Sequence, residues 1–337
     1  MTNAALRGKP DARRGSLLYN GRREFIKAGA FAALAAAGGC ATQKCGGVCA
    51  GGAAKRKVGF KLGMAGFTFK EFKTDEMLDA LERLDIHYLC VKNFHLPFTA
   101  TDADIAEFKA KCAAKGVTPY GLGPVNTKTI DDVKRMFDFA KRLGVNVVVG
   151  VPYKRGVTDK WSDQEQDRDM CEKISPLCDE YDIRFAIHNH GPDAPKCFPT
   201  GAASCEFVKD LSPRMGMCLD IGHDLRGGGD PATTIRKYHD RLFDFHLKDI
   251  IPNTDGIKAT AMPLGRGVLD LPGIVEALCD VGYAGSCSIE YEKNFTDNYA
   301  ELAECAGYFR ALMKSAERRK ALCAFADVFK AKNGEMT

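Results

Sequence analysis

The chain has 337 residues, 45% hydrophobic and 27% charged, with a net charge of +4. This is the make-up of a globular protein with a large core, and length alone leaves two average domains or one barrel open. The basic residues are dispersed along the chain, which gives no footprint for a nucleic-acid partner.

The first forty residues read as a separate object. Gly21-Arg22-Arg23-Glu24-Phe25-Ile26-Lys27 precedes a mild apolar run, Ala28 to Ala37, closed by Gly38-Gly39-Cys40. Paired arginines ahead of such a run resemble a twin-arginine export signal. A permanent membrane span needs about 20 apolar residues, more than this run supplies. The small residues before Cys40 resemble a lipoprotein processing site, with Ala37 where a leucine is usual. The expectation is an export signal over 1–40, delivery outside the cytoplasm, and membrane attachment through a lipidated Cys40. Residues 41–56 carry Cys45 and Cys49 among glycines, with no second pair at zinc-site spacing, and read as a flexible linker. Cys90, Cys112, Cys171, Cys218, Cys279 and Cys287 fall inside predicted elements and are expected to act as small buried hydrophobes.

From Lys57 strands and helices alternate. Strands are predicted to begin near Val58, Ile86, Val117, Val145, Ile183, Met215, Leu242 and Ser286. Between them come helices at Asp75–Leu84, Asp102–Lys115, Ile130–Leu143, Gln164–Tyr181, Ala202–Leu211, Pro231–Asp240 and Leu271–Val281. Val133, Met136, Phe137 and Ala140 form an apolar stripe at helical spacing, and Gly116, Gly144 and Gly282 stand at helix ends. Eight strands alternating with helices over about 250 residues is the arithmetic of a (β/α)8 TIM barrel. An open doubly wound sheet would want a Gly-rich phosphate turn after an early strand, and none is present. Terminal helix follows over Asn294 to Ala326, and the whole of 57–326 reads as one domain.

Four of the strands end in chemically useful groups. Alternation puts Gly216, Cys218 and Asp220 on one face of Met215–Asp220, with Met217 and Leu219 on the other. By the same rule Ala186, His188 and His190 share a face, as do His246 and Lys248, and Glu290 and Glu292. His, Asp, His and Glu at four strand ends point to one metal site. His188, Asp220, His246 and Glu290 are the expected ligands, His188 and Glu290 being preferred to His190 and Glu292 as the deeper of each pair.

Ile187-His188-Asn189-His190-Gly191, Leu219-Asp220-Ile221-Gly222-His223, Phe245-His246-Leu247-Lys248-Asp249, Pro263-Leu264-Gly265-Arg266-Gly267 and Gly285 to Glu292 together resemble the sugar phosphate isomerase/epimerase superfamily of xylose isomerase-like barrels. The likeness covers nearly everything from Lys57 to about Phe309. It implies one divalent ion (Mn2+, Mg2+, Co2+ or Zn2+) and a small carbohydrate substrate. The epimerases have a glutamate where this chain has His188, which removes one member of their two-glutamate acid/base pair and places the chain in a His-Asn-His branch. The resemblance also gives His223 a substrate-contacting role, from the Asp-x-x-His pattern after Asp220.

A bound divalent ion would polarise a carbonyl while a neighbouring proton is removed. His190, His223 and Glu292 are the candidate bases, with His223 or His190 the expected one and Glu292 behind them. Lys248 is placed to face a developing oxyanion, and Lys92, His95 and Arg266 are the candidates for substrate contact. The expected function is that of an exported isomerase or epimerase of a keto-sugar. Lyase chemistry on 3-keto sugars and a non-catalytic sugar-binding barrel are the alternatives, and the oligomeric state stays open. The endonuclease IV branch uses a larger zinc cluster, against which seven histidines, several away from strand ends, speak.

Overall fold

The structure is a computed structural model that describes residues 58–154, 160–193, 195–254 and 258–334. The expected export signal and linker lie outside the described residues. Eight parallel strands form the centre: β1 (Lys61–Ala65), β2 (Tyr88–Val91), β3 (Thr118–Thr127), β4 (Val147–Lys154), β5 (Arg184–His188), β6 (Met215–Asp220), β7 (Leu242–Leu247) and β8 (Ser286–Ile289). They pair in the order β3-β2-β1-β8-β7-β6-β5-β4, and β3 pairs with β4 to close the ring. This is the (β/α)8 barrel expected from the alternation.

Helices follow the strands on the outside: α1 (Thr74–Arg83), α2 (Asp102–Ala114), α3 (Ile130–Leu143), α4 (Arg168–Glu180), α5 (Gly201–Phe207), α6 (Ile221–Arg226), α7 (Pro231–Tyr238), α8 (Leu271–Asp280) and α9 (Tyr299–Gly334). In α3, Thr129 accepts the Asp132 N–H and the Asp132 carboxylate answers the Thr129 N–H, so two orphan donors are satisfied at the start. Its stripe of Val133, Met136, Phe137 and Ala140 is buried against the barrel. Truncating Phe137, which has no exposed surface, should cost about 3–5 kcal/mol.

Several strands start later than their apolar runs. Ile86, Val117, Val145 and Ile183 each follow a left-handed residue, respectively Asp85, Gly116, Gly144 and Asp182. Each donates its N–H back to the helix end, at Leu81, Cys112, Ala140 and Cys178. They are the apolar residues that close Schellman turns. α4 starts at Arg168, not Gln164, because Asp167 caps it while Glu165–Gln166 pairs antiparallel with the end of β4. α5 ends at Phe207, short of Leu211, and α6 was not expected at all. The last helix starts at Tyr299, beyond a buried Asn298 that donates to the Thr68 carbonyl at 3.0 Å, and it continues past Ala326.

The alternation along the strands separates two cores. Cys90, Val147, Val149, Ala186 and Cys218 pack inside the ring, while Met217, Leu219, Phe185 and Ile187 pack between strands and helices. Of the six cysteines singled out, five are buried and Cys279 is half-buried; all are free thiols.

Candidate metal centre

The strand register brings the candidate residues to one height. Asp220 is paired with His246 across β6 and β7, and His188 sits beside Cys218 across β5 and β6. Glu290 follows β8 directly and donates its N–H to the Leu247 carbonyl at 3.0 Å. Asn189 locks the first junction: its amide donates to the Asp220 carbonyl at 3.0 Å and accepts the Asp220 N–H at 2.9 Å. Asp220 also caps α6, its Oδ1 accepting the His223 N–H at 2.8 Å, which sets His223 on the first turn beside the cluster. Gly222 allows the close approach of the next strand, since a Cβ there would lie 2.8 Å from the Lys248 carbonyl oxygen and 2.9 Å from its side chain.

His188, Asp220, His246 and Glu290 are all buried, and one donor atom from each lies within 4.8 Å of the others. His188 Nε2 is 3.2 Å from His246 Nδ1, 3.7 Å from Asp220 Oδ2 and 3.6 Å from Glu290 Oε2. His246 Nδ1 is 3.2 Å from Glu290 Oε2. A four-coordinate ion with bonds of about 2.0–2.3 Å spans donor pairs about 3.3–3.8 Å apart. Asp220 Oδ2 and Glu290 Oε2 are both buried and turned to this same point, where the Lys248 ammonium meets them in the metal-free protein. Two anionic oxygens and two imidazole nitrogens turned to one point fit a divalent ion. Cys218 also approaches His188 and His246, but burial pushes its thiol well up, so it contributes no ready anion.

Lys248 is the cation at this site, buried and 2.8 Å from Asp220 Oδ2, 2.9 Å from Glu290 Oε2 and 3.4 Å from Glu292 Oε1. Burial opposes its charge, but Asp220, Glu290 and Glu292 prevail and hold the ammonium well above its usual range. The two buried carboxylates divide unequally. Burial pushes Asp220 up to about 7, with Lys248 opposing and the Glu290 charge adding to the rise. Glu290 is itself held low against its burial by Lys248 and His246.

A model of the xylose isomerase-like TIM barrel family matches residues 65–311. The chain belongs to that family. It is similar to the inosose dehydratase of Klebsiella pneumoniae (strain 342), 25% identical over 196 residues that make up 50% of this chain and 64% of that one. The inosose isomerase of Bacillus subtilis (strain 168) is 24% identical over 173 residues, 49% of this chain and 60% of its own length. The chain therefore spans less than two thirds of either enzyme. A solved structure of the IolI protein with a zinc atom superposes with a TM-score of 0.61 at 18% identity, covering 76% of this chain and 99% of that one, and supports the fold.

In this xylose isomerase-like barrel the other candidate residues separate into two groups. His190 and His223 lie against His188, with ring centroids 4.7 and 5.9 Å away. Burial and the Lys248 charge push His190 down to about 4 and His223 well below its ordinary value. His223 Nε2 is 3.2 Å from the Lys248 ammonium. Glu292 is only half-buried, its side chain 34% exposed, in contrast to the four buried donors. Lys92 contacts the Pro124 carbonyl and lines an open groove of about 340 Å³ with Phe98, Asn126 and Lys128. Burial lowers its pKa while Glu290 and Glu292 pull it back up.

Two expected substrate contacts are placed elsewhere. His95 is buried with Nε2 3.0 Å from the Phe69 carbonyl, which ties the segment after β2 to the one after β1. Arg266 is exposed and paired with Glu304 of α9. The motif around Arg266 instead serves Asp249, whose Oδ2 accepts the Gly265 and Gly267 N–H groups at 2.9 Å each. A Cβ at Gly267 would fall 2.0 Å from Asp249 Oδ1, so only glycine fits. Asn189, Asp249 and Asp244 went unassigned in the sequence. Asp244 had a signal, because it shares the inward face of β7 with His246.

Proposed function

We propose that the chain is a divalent-metal-dependent isomerase or epimerase of an unphosphorylated keto-sugar or related carbonyl polyol, acting by proton removal beside the carbonyl. The observation that carries this reading is the convergence of His188, Asp220, His246 and Glu290 on one buried point. A bound divalent ion would supply Lewis-acid polarisation of the substrate carbonyl. Lys248 adds a fixed positive charge where the substrate oxygen becomes negative, in a site where water screens little. His190 and His223 are held neutral beside that ammonium and are poor proton acceptors, so they serve as hydrogen-bonding groups for substrate hydroxyls. The proton goes to Glu292, the half-buried carboxylate outside the four-donor set.

A second reading, β-elimination, is favoured by the one-sidedness of this arrangement. With His188 in the donor set, a single carboxylate remains to take a proton, and the similarity to an inosose dehydratase points the same way. The proposal extends to location: Arg22-Arg23 and the following apolar run direct export, and Cys40 is the point of lipid attachment. Such a location suits a free sugar, since phosphorylated sugars are retained inside cells. Incubating the metal-loaded protein with free keto-sugars and inososes in deuterated buffer tests the chemistry. Solvent deuterium in an isomer or epimer supports the first reading, an unsaturated ketone replaces it by the second, and absence of both leaves a sugar-binding barrel.

A further inference from the structure

One layer deeper in the barrel lies a polar chain that the proposed chemistry does not use. Asp244 is fully buried on β7, two residues before His246 and on the same face. Its Oδ1 accepts the Tyr120 hydroxyl at 2.9 Å and the Phe245 N–H at 2.9 Å. Tyr120 Oη lies 2.6 Å from Ser288 Oγ, and because the phenol proton points to Asp244, Ser288 is the donor in that contact. The other oxygen, Asp244 Oδ2, faces His246 Nε2 at 3.6 Å, and neither atom has a hydrogen bond among the described residues. Leaving two buried polar atoms unsatisfied is costly, and a closure of about 0.7 Å would join them at normal length. The opposite nitrogen, His246 Nδ1, is the one turned to His188 and Glu290.

A carboxylate only accepts, so the Asp244–His246 bond requires the proton on Nε2. Glu290 Oε2, 3.2 Å from Nδ1, draws a proton there when no ion is bound; with an ion on that side in the proton's place, the neutral imidazole carries its one N–H on Nε2, against Asp244, and turns its Nδ1 lone pair to the cluster. We infer that Asp244, steadied by Tyr120 and Ser288, is a positioning residue that fixes His246 in the Nε2–H form and so prepares Nδ1 as a metal donor. Cys90 and Cys218 flank the same ring, but a thiol is a weak hydrogen-bond partner beside a carboxylate. The inference rests on the metal reading above.

Asp244→Asn separates this role from simple packing. Tyr120 and Phe245 both donate at the Oδ1 position and would hold the amide oxygen there, turning the NH2 toward His246 Nε2. A donor at that place demands the lone pair on Nε2 and puts the proton on Nδ1. Shape and most hydrogen bonds survive while the donor is inverted.

The test is Zn2+ affinity by chelator competition on the full chain, wild type against Asp244→Asn, with melting of the metal-free forms and 15N-histidine NMR. The variant should bind Zn2+ about 10–100-fold more weakly. It should melt within about 5 °C of wild type, and its His246 should be protonated at Nδ1. Equal Zn2+ affinity in the variant overturns the positioning role and leaves the metal reading standing. Should the variant not fold, Zn2+-loaded wild type decides, because protonation of His246 at Nδ1 in place of Nε2 would overturn the inference. Wild type that takes up no Zn2+ removes the metal reading and this inference with it.

Discussion

Lys248 is the residue on which the charge balance of the site turns. It compensates two buried carboxylates, and removing one partner of a buried ion pair costs about 3–5 kcal/mol because the other charge is stranded. Lys248→Met should therefore destabilise the metal-free protein by about that amount in denaturant unfolding with chelator present. Added Mn2+ or Zn2+ should restore most of the loss; a variant as stable as wild type without metal would contradict the balance described. Glu292 gives a second residue-scale expectation. Glu292→Gln should lower the rate of deuterium entry into substrate by about 10²–10⁴ with metal affinity unchanged, and normal exchange would move the base elsewhere. The four-donor set was legible in the sequence because each member ends a strand on its inward face. Which of His190, His223 and Glu292 takes the proton was not legible, because the downward shifts of the two histidines depend on burial and on Lys248, which spacing does not reveal.

Helix ends carry the next scale of information. Ile86 and Ile183 were readable as apolar but not as turn-closing residues, because the left-handed Asp85 and Asp182 give no glycine signal, whereas Gly116 and Gly144 mark the turns before Val117 and Val145. α6 escaped notice because its cap, Asp220, reads first as a strand-end carboxylate. Asp224, buried on α6, holds the start of α5 by accepting the Gly201 N–H at 2.8 Å. Burial raises its carboxyl from 3.8 to about 6, against the lowering effect of that hydrogen bond. The folded state therefore binds the proton more tightly than the unfolded chain. The resulting stability is full below about pH 4 and is lost as pH rises through about 6, amounting to about 3 kcal/mol. Asp224→Asn retains the acceptor and removes the proton. The difference in unfolding free energy between variant and wild type should shift by that amount between pH 4 and 7, in favour of the variant at the higher pH. A constant difference would show that Asp224 does not titrate as described.

At the scale of the molecule, the barrel was legible because every strand–helix repeat carries its own pattern, and closure by β3 and β4 follows from having eight of them. Which loop groups reach the site was less legible: Arg266 and His95 follow strands or motifs in sequence but are turned to Glu304 and Phe69. For the leader, replacing Arg22 and Arg23 by lysine should leave the protein in the cytoplasm with its signal uncut, and unchanged export would refute the twin-arginine reading. Everything proposed for this barrel depends on four strand ends building one metal site. Metal content after equilibrium dialysis against Mn2+ or Zn2+, read by elemental analysis for wild type and for His188→Ala, tests it most directly. Wild type should hold one ion per chain, and the variant should lose about 100-fold or more in affinity, beyond what changes around a site usually cause. No bound ion in wild type, or equal retention by His188→Ala, would contradict it.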